Sequence, residues 1–351
     1  MKIVQIVGAR PQFIKLAPLS RKVRKHHQEV IIHSGQHYDI QMNEVFFRDL
    51  EIPAPDYNLN VGSGSQSTQT AGILNALEPV LIKEKPDITI VYGDTNTTLA
   101  GALTSAKLGI KTAHIEAGLR SYNKSMPEEI NRIVADHISD ILLAPTETAM
   151  HNASKEGLLE KTFLVGDIMV DSLSFGIKKA EKEANVLSTL QLVDNNYCLL
   201  TLHRPYNVDN SDNLYHILSG LDALQQLIIF PVHPRTLNIL NNMKNNRFSN
   251  IRLIEPQAYL DFLLLMKHSR MIFTDSGGIQ KEAYILQKPC VTLRPETEWV
   301  ETVQSGWNLL LPVFSRDFPF VVNNFKPPET HPALFGENVA EKIMQILERK
   351  G

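Results

Sequence analysis

The apolar run Met271-Ile272-Phe273 is followed at once by Thr274-Asp275-Ser276-Gly277-Gly278 and then by the helix-like IQKEA. A strand that stops and turns into a helix across a serine and two glycines leaves backbone N–H groups bare at the helix N-terminus. The helix dipole favours negative charge at the same place, so the chemistry this turn can do is to hold an anion. Other strand-like runs end on cations: His203 and Arg204 follow YCLLTL, His233 and Arg235 follow LIIFPV, and Arg294 follows CVTL. Two His-Arg sets together with the Ser276-Gly277-Gly278 turn point to phosphate as the anion. Glu282 lies four residues beyond Gly278, one helical turn in. A carboxylate there can accept from both hydroxyls of a ribose, or it is an ordinary helix glutamate.

The first half of the chain carries a different inventory. Asp94, in VYGDTNTT, either caps the next helix or faces a ligand. Glu116, in HIEAGLR, comes after an apolar strand and before Ala-Gly, where it is neither a good cap nor an obvious surface residue. SMPEEINRIVADH reads as a helix start, with Ser125 ahead of Pro127 and two acids in the first turn. Glu128 and Arg132 are spaced for a surface ion pair. Taken together, Asp94, Glu116 and Glu128 are what proton transfer would need. Arg10 and Lys15, in GARPQFIK, are either phosphate-side cations or a surface arginine and a helix lysine.

Positioning these residues requires strands that end together. KIVQIV, VIIHS, ITIVYG, TAHIEA, ILLAPT and TFLVG form one series; YCLLTL, LIIFPV, IRLIEP, RMIFTD and CVTLR form a second. Continuous apolar runs alternating with helical patterns indicate parallel strands buried on both faces, hence α/β with two doubly wound layers. In such sheets ligands sit outside the carboxyl ends of the strands, which suggests a cleft between two domains. The boundary is expected near 170–195, giving an N-terminal domain over 1–170 and a C-terminal one over 171–334. ENVAEKIMQILERK reads as an amphipathic helix with Val339, Ile343, Ile346 and Leu347 on its apolar face. The Pro- and aromatic-rich stretch before it reads as a surface loop or crossing segment.

At 351 residues about two domains are expected. The apolar share of 43% and charged share of 21% suit a soluble globular enzyme. A net charge of -3 offers no general footprint for nucleic acid, and SRKVRKHH reads as the solvated face of a first helix. Cys198 and Cys290 lie in apolar runs and read as buried small hydrophobes, not as a disulfide or metal set. With no D-x-D, H-E-x-x-H or Cys/His cluster, no metal is expected. GARPQF has one glycine where G-x-G-x-x-G would be needed, so NAD is not expected either. The start of the chain has too short an apolar part for a signal peptide, and no run is long enough to span a membrane. A cytoplasmic protein is the plain reading.

GARPQFIKLAPL, GDTNTTLAGAL, HIEAGLRS, MPEEINR, HR, HPR and TDSGGIQKEA, in this order and spacing from residue 3 to about 310, resemble the UDP-N-acetylglucosamine 2-epimerase family. The resemblance implies two Rossmann-like domains facing across a cleft, a glycosyltransferase-B-like architecture, with the C-terminal helix (about 335–351) crossing back to the N-terminal domain. It implies a UDP-sugar substrate, no cofactor and a homodimer. Carried over by position, Ser276, Gly277 and Gly278 would hold the diphosphate, Glu282 the ribose and Phe262 the uracil, with Arg10 and His203 toward the phosphates and His233 among the UDP-binding residues. Asp94, Glu116 and Glu128 would surround the sugar C2, supported by Lys15 and Arg132.

The implied chemistry agrees with the inventory. The C2 hydrogen of an N-acetylhexosamine is not beside a carbonyl, so enolisation cannot invert that centre, and oxidation would need the missing nicotinamide site. Elimination of UDP to a 2-acetamidoglucal and re-addition remains. UDP must then be stabilised as a leaving group by arginines, histidine and a helix N-terminus, and the cleft must close to retain the glucal. The sequence departs from the commonest family pattern at Gln12, Tyr206, Trp299 and GQHYD (35–39). The last makes activation by a second substrate molecule doubtful. Gln12 and the Thr297-Glu298-Trp299 variant resemble the subgroup acting on UDP-2,3-diacetamido-2,3-dideoxyglucuronate. A hydrolysing relative, a UDP-sugar glycosyltransferase and a non-catalytic UDP-sugar sensor are the other readings. The acids of the first half argue against the last two.

Overall fold

The computed structural model describes residues 1–35, 47–243, 247–311 and 317–350. The chain divides into two compact units, Met1–Phe175 with Leu334–Gly351, and Gly176–Ala333.

In the first unit the elements run β1 (Lys2–Val7), α1 (Arg10–His26), β2 (Gln28–His33), β3 (Tyr57–Asn58), α2 (Gln66–Glu84) and β4 (Ile88–Tyr92). They continue through α3 (Asn96–Lys107), β5 (Lys111–Ile115), α4 (Pro127–Ile138), β6 (Ile141–Ala144), α5 (Glu147–Lys155), β7 (Thr162–Leu164) and α6 (Met169–Glu183). The division between the units falls within α6.

The second unit carries α7 (Val186–Thr189), β8 (Cys198–Thr201), α8 (Pro205–Val208), α9 (Ser211–Asp222), β9 (Ile228–Pro231), α10 (Pro234–Asn242) and β10 (Ile251–Ile254). Then come α11 (Tyr259–His268), β11 (Met271–Thr274), α12 (Gly277–Ile285), β12 (Cys290–Thr292), α13 (Val300–Gln304), β13 (Asn308–Leu310) and α14 (Phe318–Asn324). The final helix, α15 (Val339–Lys350), belongs to the first unit.

The sheets are ordered β3-β2-β1-β4-β5-β6-β7 and β10-β9-β8-β11-β12-β13. Their strand pairs are parallel. Both orders count outward and then reverse, which is the Rossmann arrangement. The apolar runs become central strands because each has a helix layer on either face. Every residue of β4 is buried, and Val4, Ile6, Ile32, Val91, Leu77 and Leu81 share one core on one side of the first sheet. In the second unit Leu200, Phe230, Phe273 and Val291 pack with Ile217 and Leu221 of α9. Cys198 and Cys290 are buried, unbridged thiols, and burial pushes each up to about 12.

Three features differ from the sequence reading. The edge strands β3 and β13 span only two and three residues, too short to carry a periodic signal. The stretch read as a loop before the last helix contains α14, whose Phe318 and Val322 join the second core. On α15 the apolar face is completed by Met344 at 5% exposure, with Ile346 only half-buried. That helix packs on α1 and is fixed by Asp171, which accepts from the Ala340 N–H at 2.8 Å. The basic run closes α1, with Arg24, Lys25 and His26 exposed in its last turn, where the dipole favours cations.

Candidate active site

Strand order reverses between β1 and β4 in the first unit and between β8 and β11 in the second, and ligands of such sheets bind at these carboxyl ends. Arg10, Asp94, His203 and Ser276 follow the strands that flank these points.

In the first unit Arg10 is exposed at the start of α1. Lys15, one turn further and 8% exposed, pairs its ammonium with the Glu116 carboxylate. Glu116 follows β5 with φ of 69°, the left-handed region that non-glycine residues rarely occupy. Its N–H and that of Ala117 both donate to the Leu143 carbonyl, at 3.1 and 3.2 Å, which holds the kink. Gly93 ends β4 with φ of 64°, and a Cβ there would lie 3.3 Å from the Glu116 carboxylate and 3.4 Å from the Lys15 ammonium. The ion pair therefore rests directly on glycine backbone. Gln12 ties α1 to the same place: its oxygen accepts from the Gly8 and Ala9 N–H groups, and its NH₂ donates to the Tyr92 carbonyl at 2.8 Å.

Asp94 does not cap α3. Thr95 takes that position, accepting from the Thr98 N–H, and Asp94 lies one residue ahead of it. Asp94 is ion-paired with Arg132 instead. Arg132 also holds Glu129 at 2.7 Å, so the expected Glu128–Arg132 pair is not formed among the described residues. Burial decides between the two adjacent acids. Glu129 is 1% exposed and accepts from the Ser121 and Tyr122 N–H groups at 2.9 and 2.8 Å, while Glu128 projects into solvent from the first turn of α4. Met126, not Ser125, is the N-cap residue of that helix, and the Glu129 side chain closes the preceding loop. Burial alone would raise the Glu129 carboxyl, but the bonds from Ser121, Arg132 and Tyr122 outweigh it and hold it below the usual range.

Beneath these acids lies a buried polar set that the sequence reading missed. His114 of β5 contacts Asp136 through Nδ1 and the Gly93 carbonyl through Nε2, each at 2.7 Å. Asp136 also accepts from the Gly118 N–H at 3.0 Å and from Arg120 at 2.6 Å, and Arg120 is bidentate to Glu156 at 2.7 Å. The available signal was a histidine inside the apolar strand TAHIEA, which must find polar partners when buried.

In the second unit Ser276 is the N-cap of α12, its hydroxyl accepting from the Ile279 N–H, and Gly277 and Gly278 form the first turn. Glu282 is half-buried further along the same helix. Asp275, fully buried, organises the facing loop: it accepts from the His203 and Arg204 N–H groups at 3.1 and 3.0 Å and from Asn207 at 2.9 Å. The His203 ring, 57% exposed, has Nδ1 3.1 Å from Asp275, which places Nε2 on the outward side. Arg204 Nε is buried without a hydrogen-bond partner among the described residues. The Glu298 carboxylate, 3.0 Å from Arg294, lies where a side chain on residue 277 would stand. Trp299 stacks on the Lys281 ammonium at 4.0 Å.

His233 lies farther along the sheet, after β9. Its Nδ1 accepts from the Arg235 N–H at 3.2 Å, and Arg235 pairs with Asp209 at 2.6 Å. A pocket of about 370 Å³ opens beside it, lined by Val232, Leu237, Leu253, Ile254 and Pro256. Phe262, half-buried on α11, is not part of that lining. Residues 36–39 of GQHYD fall outside the described residues. Among the described residues no His, Cys, Asp and Glu group could hold a metal ion, and no helix is long and apolar enough to cross a membrane.

Residues 21–347 match the family model described as UDP-N-acetylglucosamine 2-epimerase. The chain belongs to that family. A UDP-N-acetylglucosamine 2-epimerase homolog of Methanococcus maripaludis is 51% identical over 99% of this chain and 99% of its own. The crystal structure of the Methanocaldococcus jannaschii UDP-GlcNAc 2-epimerase in complex with UDP-GlcNAc and UDP matches with a TM-score of 0.87 and 45% identity, over 99% of this chain and 100% of that one. The UDP-2,3-diacetamido-2,3-dideoxy-D-glucuronate 2-epimerase of Pseudomonas aeruginosa is 44% identical over 89% of this chain and 88% of its own. This member of the epimerase family is thus an isomerase, a C2 epimerase.

Proposed function

We propose that this epimerase interconverts UDP-N-acetylglucosamine and UDP-N-acetylmannosamine without metal or nicotinamide. The Lys15–Glu116 pair, seated on Gly93 at the reversal point of the first sheet, carries the reading. A carboxylate group there removes the C2 proton as the C1–O bond to UDP breaks, leaving 2-acetamidoglucal and UDP. A proton then reaches C2 from the opposite face, and a phosphate oxygen of UDP adds back to C1. Asp94, Glu116 and Glu128 are the proton-transfer groups in this scheme, with Lys15 and Arg132 holding the first two in place.

The second unit takes the nucleotide. Backbone N–H groups at Ser276, Gly277 and Gly278, with His203, receive the diphosphate and stabilise UDP as it leaves. Glu282 accepts from the ribose hydroxyls, and Phe262 lies against the uracil ring. Substrate incubated with the enzyme alone in D₂O gains deuterium at C2 under this scheme. Absence of exchange with any UDP-2-acetamido sugar overturns it.

UDP-2,3-diacetamido-2,3-dideoxyglucuronate is the second candidate substrate, favoured by Gln12, by Trp299 and by the Pseudomonas aeruginosa relative. The same exchange assay on both sugars separates them. NMR of the products separates epimerisation from hydrolysis to free sugar and UDP.

A further inference from the structure

His114 is fully buried, yet its two ring nitrogens face two groups that accept. Nε2 lies 2.7 Å from the Gly93 carbonyl oxygen, which has no hydrogen to give. Nδ1 lies 2.7 Å from Asp136 Oδ1, and the other oxygen of that carboxylate already accepts from the Gly118 N–H and the Arg120 guanidinium. A carbonyl oxygen can only accept, so the contact with Gly93 calls for the ring hydrogen on Nε2.

The carbonyl it binds is the one that leads into Asp94. Gly93 is gripped from both sides by β5: its N–H donates to the Ile115 carbonyl at 3.0 Å, and its own carbonyl accepts from His114. The peptide so fixed has left-handed φ, bears Asp94 on its far side and carries the Lys15–Glu116 pair on its face. Asp136 sits on α4, the helix that also supplies Glu129 and Arg132. One ring thus ties together β4, β5 and α4, each of which contributes to the acid cluster.

We propose that His114 is a positioning residue for the C2 proton transfer, its Nε2–H holding the Gly93 carbonyl so that Asp94 and Glu116 keep their relative placement. This rests on the epimerase reading above. Two amide substitutions separate the two ends of the ring, because asparagine nitrogen overlays Nδ1 and glutamine nitrogen overlays Nε2. His114→Gln keeps a donor for Gly93 and gives up the bond to Asp136; His114→Asn does the reverse.

If the Gly93 bond matters for chemistry, C2 exchange in D₂O falls on the order of 10²-fold in His114→Asn, as expected for a displaced reacting group, and much less in His114→Gln. KM and UDP affinity stay within a few-fold in both. Equal losses, or the larger loss in His114→Gln, overturn the proposal. The wild-type protein gives an independent reading by ¹⁵N NMR of the His114 side chain, where Nε2 should be bonded to hydrogen and a bare Nε2 overturns the assignment. A wild type that exchanges no UDP-sugar at all would sink the epimerase reading, while the NMR result would still decide the hydrogen bond.

Discussion

The Lys15 ammonium and the Glu116 carboxylate meet across the backbone of Gly93, each side chain about nine-tenths buried. Their association joins the first helix to the end of the fifth strand and places a carboxylate, with its counter-charge, at the reversal point of the sheet. Glu116→Gln should abolish C2 exchange and leave UDP affinity within a few-fold, measured by deuterium incorporation and calorimetry. Lys15→Met should cost about 3 kcal/mol of stability, because it leaves a carboxylate buried without its partner. Normal turnover in Glu116→Gln would remove that residue from proton transfer.

Asp275 is the corresponding anchor of the second unit. Burial raises its carboxyl, but hydrogen bonds from His203, Asn207 and Arg204 outweigh that and hold it below the usual range. A depressed folded-state value contributes stability that is present above the unfolded value of 3.8 and is lost as pH falls through the folded one. Asp275→Asn should therefore cost about 2–4 kcal/mol at pH 7. The gap between variant and wild type should close on acidification below 3.8. A gap independent of pH in urea titrations would show that the carboxylate charge is not what holds the loop.

Glu29 behaves in the opposite sense. Its side chain is 4% exposed, and burial raises the carboxyl to about 7 against bonds from Ser20 and Gln5 and the charge of Arg24. A raised folded value favours the protonated form, so stability is greatest below the unfolded value of 4.5 and declines as pH rises to about 7. The decline amounts to roughly 3 kcal/mol. Glu29→Gln should flatten this part of the stability–pH curve and be the more stable protein at pH 8; an unchanged slope would contradict it.

Gly118 closes HIEAGLR at φ of 81°, with its N–H on Asp136, and a Cβ there would come 2.5 Å from the Ala149 carbonyl oxygen. Backbone oxygen cannot swing aside as a side chain would. Gly118→Ala should lose about 2 kcal/mol or more and lower the melting temperature, whereas Gly157→Ala, with open space around its Cβ, should lose only the φ strain. Similar melting temperatures would refute the steric argument.

The parallel sheets were legible because their strands are continuous apolar runs, and the strand-to-helix turn at residues 274–278 because a serine and two glycines directly follow the run. Elements of low signal were not. β3 and β13 lie at sheet edges and are shorter than any period, and α14 starts at an aromatic and a proline that also suit a loop. In the site, spacing alone could not choose between Glu128 and Glu129, since both stand one turn from Arg132 and only burial separates them. His114 and Asp136 are 22 residues apart and become neighbours only once β5 and α4 are side by side. Long-range polar pairing of this kind leaves no local pattern to read.

The last helix, α15, lies on α1, with Lys22 reaching Glu341 and His27 reaching Glu348, although all of Gly176–Ala333 intervenes between them in the chain. On the ribosome, the intervening unit can therefore mature while the flank of the earlier one is still bare. A transcript cut short before residue 339 would yield a polypeptide with the whole second unit and an uncovered α1, the kind of product that proteases and chaperones recognise.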